Sequence, residues 1–125
     1  MTATTLAKQA YGAASINIRT PRATEYDTFA RITHAMIQAA KRGKSGFPDL
    51  AKAIHDNRQL WTLVAGEVAD DDNALPQDLR ARIFYLAEFT QHYSRQVLNS
   101  GASISPLVEV NAAIMRGLST GGPGK

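Results

Sequence analysis

The stretch LAKAIHDNRQLWTLVAGEV, Leu50 to Val68, decides the fold class. Within it Leu50, Ile54, Asn57, Trp61, Val64 and Val68 recur at spacings of four, three, four, three and four. That period stacks side chains on one face of an α-helix. Asn57 is the single polar member of the face, and Leu60 lies beside it. Aromatics at helical spacing belong to a core, so Asn57, Leu60, Trp61 and Val64 read as core, with Asn57 a satisfied buried amide. The competing reading makes Trp61 an interface anchor.

Similar stripes flank this helix on both sides. Upstream, Thr20-Pro21 opens a segment with a cap residue and a first-turn proline. Its apolar positions are Ala23, Tyr26, Phe29, Ile32, Met36, Ile37 and Ala40, and it closes at Lys41-Arg42-Gly43. Downstream, the acidic turn Asp70-Asp71-Asp72-Asn73 leads to a segment beginning around Pro76-Gln77. There Leu79, Ile83, Leu86, Phe89, Tyr93 and Val97 form the stripe, with Asn99-Ser100-Gly101 as the stop. Leu79, Ile83 and Leu86 join the expected core. A last segment opens at Ser105-Pro106 and carries Leu107, Val110, Ile114 and Leu118 on one side. A first segment, before residue 20, repeats Ala3, Ala7, Ala10 and Ala14, with Tyr11 as its large aromatic. No stretch alternates as a strand would. The expectation is an all-α fold, one compact bundle of about five helices over residues 1–118, with 119–125 a tail disordered by composition.

A chain of 125 residues fits one domain. It has no cysteine, which excludes disulfides, thiolate zinc sites and cysteine nucleophiles. The N-terminus lacks the apolar core of a secretory signal, and no run approaches the ~20 apolar residues of a membrane span. A cytoplasmic protein is the expectation. The net charge of +3 is scattered apart from Lys41-Arg42-Gly43-Lys44, which a helix C-terminus accounts for through its dipole.

Chemistry finds no foothold. His34, His55 and His92 lie on three different segments without ligand spacing, so no metal site is expected. Asp70 to Asp72 lack the glycine and terminal glutamate of a calcium loop. No serine stands in a nucleophile elbow. Neither catalysis nor a cofactor is expected.

Several blocks then line up in order: Ala10-Tyr11-Gly12, Thr20-Pro21-Arg22-Ala23-Thr24-Glu25, Asn57-Arg58-Gln59-Leu60-Trp61, and Asn73-Ala74-Leu75-Pro76-Gln77-Asp78-Leu79-Arg80. Leu86-Ala87-Glu88-Phe89 follows, and Pro106 to Leu118, PLVEVNAAIMRGL, completes the series. This arrangement resembles the FlaF family, flagellar biosynthesis regulators of alphaproteobacteria. The resemblance implies a cytoplasmic, non-enzymatic factor that binds flagellin as an export chaperone or controls its synthesis, together with the regulator FlbT. The rival reading is post-transcriptional control with FlbT through flagellin mRNA, with Arg19, Arg22, Lys41, Arg42 and Lys44 as contacts. Direct RNA contact is the less expected of the two, because these charges are not gathered on one face.

The expected binding surface is the last helix. Its strong stripe, Leu107, Val110, Ile114 and Leu118, faces a weak, alanine-based first segment with Tyr11. A partner helix with larger side chains would displace such a lid. Asn111 leaves two readings open, buried amide or exposed contact, and is assigned to the docking surface as its polar group.

Overall fold

The computed structural model describes residues 21–119, and the side chains of 25–117. Among them are four α-helices and no strand. We number them α1 (Pro21–Lys41), α2 (Phe47–Ala69), α3 (Gln77–Ser100) and α4 (Ser105–Ser119), with a 3₁₀ turn at Gly43–Gly46 between α1 and α2. The all-α expectation holds, and these are the second to fifth segments of the sequence pattern. The expected first segment and the tail lie outside the described residues.

Local chemistry sets the ends. α1 stops where Gly43 takes a positive φ of 62°, a conformation that glycine reaches without a Cβ penalty. The 3₁₀ turn is not legible in the helical period. It depends on Gly46, which is buried and so close to α1 that a Cβ would overlap the Ala39 carbonyl oxygen. Pro48 then sits in the first turn of α2, with Asp49 beside it at the positive end of the helix dipole. α3 ends at Gly101, φ 70°, whose N–H reaches the Val97 carbonyl at 3.2 Å.

Arg80 fixes the turn from α2 to α3. Its Nε donates to the Val68 carbonyl at 2.7 Å and its Nη2 to the Asp70 carbonyl at 2.8 Å. Carbonyls at a helix C-terminus have no partner within the helix, and a guanidinium satisfies them while complementing the dipole. Asn73 adds a bond from Nδ2 to the Glu67 carbonyl at 2.9 Å.

α2 packs closely on α1 and α3, α1 packs also on α4, and α3 and α4 approach each other least of these neighbouring pairs. α2 and α4 stand diagonally across the bundle. The apolar core falls into two clusters. One gathers Phe29, Ile32, Leu60, Val64 and Ile83 around Trp61, whose ring meets Phe29 edge-on at 5.4 Å. The other holds Met36, Ala53, Ile54, Val97 and Leu107.

Candidate functional site

Between the two clusters, each helix contributes buried polar side chains: Thr33 from α1, Asn57 from α2, Thr90 and Ser94 from α3, and Asn111 from α4. Thr33 lies between Ile32 and Met36 of the two clusters, Asn57 between Ile54 and Leu60, and Thr90 and Ser94 between Ala87 and Val97. Asn111, 0% exposed, is the hub. Its Oδ1 accepts from Trp61 Nε1 at 2.8 Å. Its Nδ2 donates to Asn57 Oδ1 at 2.8 Å and to Thr33 Oγ1 at 2.9 Å. Buried polar groups of this kind are costly unless paired, and here one amide pairs with three side chains from two other helices at once. Asn57 Nδ2 and the hydroxyls of Thr90 and Ser94 have no hydrogen-bond partner among the described residues.

Asn111 was expected to offer a polar contact on the docking surface. The structure places it in the core instead, bonded to α1 and α2, so its amide is not available to a partner. Leu107 is likewise fully buried. Val110 and Ile114 are half-buried against the Trp61 cluster. Tyr11 and the side chain of Leu118 lie outside the described residues. Of the expected core residues, Asn57, Leu60, Trp61, Val64 and Ile83 are buried, while Leu79 and Leu86 are half-buried.

Those half-buried residues define an edge. On α3, Arg80 and Gln91 face α2: Gln91 accepts from Arg58 Nε at 2.9 Å and donates to the Arg58 carbonyl at 2.9 Å. Leu79, Leu86 and Tyr93 recur every seven residues along the opposite edge, toward α4. Tyr93 stacks on Phe89, centroids 5.5 Å apart, and its hydroxyl donates to the Ser103 carbonyl at 2.6 Å in the α3–α4 connector. Val110, Ile114 and Met115 of α4 pack on the same core cluster as Leu79 and Leu86. Because α3 and α4 approach loosely, the described residues cover this apolar seam in part only.

The remaining expectations fall elsewhere. His34, His55 and His92 are exposed on separate helices, and no group of three metal-capable side chains occurs among the described residues. Lys41, Arg42 and Lys44 are exposed near the 3₁₀ turn. Arg42 there forms an ion pair with Asp49, and Lys52 pairs with Asp56 at 3.1 Å on the same side, so the cationic patch is interleaved with acids. Arg19 lies outside the described residues, as does the side chain of Arg22. No helix among the described residues is long and apolar enough to cross a membrane.

Sequence reading missed Thr33, Arg80 and Gln91. Thr33 had a signal, because it stands four residues after Phe29 and three before Met36 on the buried face of α1. Gln91 had none, since its partners Arg58 and Thr62 belong to another helix.

No curated protein and no solved structure shows significant similarity to the chain. The family model described as flagellar protein FlaF matches residues 7–118, which takes in the first three helices whole and α4 to within one residue of its end. With that match spanning the bundle, its connectors and the polar layer, the chain belongs to the FlaF family of flagellar proteins.

Proposed function

We propose that this chain is a flagellar biosynthesis factor that binds flagellin as an export chaperone and regulates flagellin synthesis and secretion, acting beside FlbT. Membership of the FlaF family is the observation that carries this reading. In it the protein works in the cytoplasm, by binding rather than by catalysis, and without a cofactor.

The α3–α4 seam is the surface best suited to such a task. A disordered segment that becomes amphipathic when helical is held by laying its apolar face into a groove. Leu86, Phe89, Val110 and Ile114 supply half-buried apolar side chains on the two helices for that purpose. Ordering the segment costs roughly 2–5 kcal/mol of the gross interaction energy. The resulting affinity is moderate and reversible, which suits a cargo that must be released for export.

Titration of the full chain with peptides from the two termini of flagellin, by calorimetry at 50 and 300 mM salt on the order of the range used to expose phosphate contacts, tests the proposal. Saturable binding of one peptide with little salt dependence is the expected result, together with new hydrogen-exchange protection in residues 106–118. Absence of binding to either peptide overturns the flagellin reading. Tight, steeply salt-dependent binding to flagellin mRNA, centred on Lys41, Arg42 and Lys44, would favour the message-directed alternative.

A further inference from the structure

We infer that the buried polar layer is a register lock for α4, selecting one seating of that helix out of several that its apolar stripe would accept. The inference stands apart from the flagellin reading and concerns the fold of the free chain.

The stripe of α4 is nearly degenerate. Leu107 and Ile114 are similar in volume, and Asn111 is the only polar residue between them on the buried face. If position 111 carried an aliphatic side chain, a shift of α4 by one turn would exchange like for like. The rise of that turn is about 5.4 Å. Hydrophobic burial has no direction and would discriminate poorly between the two seatings.

Asn111 removes the degeneracy. At its observed position its amide meets Trp61 Nε1, Asn57 Oδ1 and Thr33 Oγ1, all within 2.9 Å. One turn along, it would enter the apolar cluster of Met36, Ile54 and Val97, or the one around Trp61 and Ile83. The displaced Leu107 or Ile114 would meanwhile leave Trp61 Nε1, Asn57 and Thr33 unpaired. Each unpaired buried group costs on the order of a hydrogen bond's desolvation, so the wrong seatings are penalised several times over. A single buried asparagine sets register and partner number in coiled coils by the same physics, at some expense in stability.

The backbone gives other constraints less authority. Among the described α-helices α4 is the shortest; it touches α3 loosely and is joined to it by the four-residue connector 101–104, which opens on the left-handed Gly101. The hydrogen bonds that tie that connector to the body all go to α3, from the Gly101 and Ala102 N–H groups at its start and from the Tyr93 hydroxyl to the Ser103 carbonyl, among the described residues.

The chain has no cysteine, so two can be introduced as unique spin-label sites. Lys41→Cys and Ala113→Cys are both exposed, on α1 and α4. In this background the full chain should give one narrow inter-label distance. Asn111→Leu, and separately the combination Thr33→Val, Asn57→Leu and Asn111→Leu, should keep the helical content but split or displace the distance by several Å, up to about 5.4 Å. Leu107→Ala is the control: it removes apolar contact from the same helix and should lower Tm while leaving one distance unchanged. A single, unshifted distance in both layer variants overturns the proposal and assigns the register to the connector. If neither variant folds, the layer is needed for folding itself, and the lock is equally overturned.

Discussion

α3 has two edges, and they are held by different forces. Along the edge facing α2, Gln91 and Arg80 make directional bonds to Arg58 and to the carbonyls at the end of α2. Along the edge facing α4, half-buried Leu79, Leu86 and Tyr93 meet a helix that approaches loosely. Directional bonds fix distance and angle, whereas apolar contact rewards burial in whatever geometry supplies it. The first edge therefore behaves as a permanent joint. The second is the looser contact of α4, which is otherwise held to α1 and α2 through Leu107 and Asn111, and separating α3 from α4 there should cost less than global unfolding.

The largest expected effect comes from breaking what both edges share. Trp61 is fully buried, packs on Phe29 and donates to Asn111. Trp61→Ala should destabilise the fold by about 3–5 kcal/mol, read as a drop in the chemical-denaturation midpoint or as loss of soluble protein. A variant that melts like the parent yet no longer binds a partner would relocate Trp61 from the core to an interface.

A smaller effect is expected at the loose edge. Ile114→Ala removes a half-buried side chain and should cost about 1–2 kcal/mol, roughly half the range for a fully buried isoleucine. In native-state hydrogen exchange, protection should fall in residues 105–117 first and leave α2 nearly untouched. A uniform loss over all four helices would show that α4 is as firmly integrated as the rest, and the contrast between the edges would disappear.

The smallest effect is expected at the polar edge. Gln91→Ala removes side-chain bonds to Arg58 and Thr62 at partly exposed positions and should cost about 1 kcal/mol, with solvent replacing the lost partners. Thermal melting with matched Gln91→Ala and Ile114→Ala samples sharpens the comparison. A greater loss for Gln91→Ala would make the directional joint the stronger contributor of the two.

Much of this was legible in one dimension. Proline at the start of α1, glycine after the last turns of α1 and α3, and stripes at threes and fours bound four helices to within a residue or two of their observed ends. These signals are local: a cap, a missing N–H or a positive φ acts on its own turn of chain. The position of Trp61 on a seven-residue repeat also pointed inward correctly. Asn111 exposes the boundary of that reasoning. It sits on the same kind of stripe as Asn57, yet whether an amide between apolar neighbours is buried or open depends on what stands opposite.

The sequence by itself therefore determined the helices and their faces, because periodicity and capping are properties of neighbouring residues. Only the tertiary structure decided that Thr33, Asn57, Trp61 and Asn111 meet. They are 78 positions apart at the extremes, and hydrogen-bond pairing depends on distances of about 3 Å that spacing along a chain does not encode. The same holds for the two edges of α3: one helix pattern serves both, and the neighbour on each side decides which is closed by hydrogen bonds and which, among the described residues, is packed more loosely.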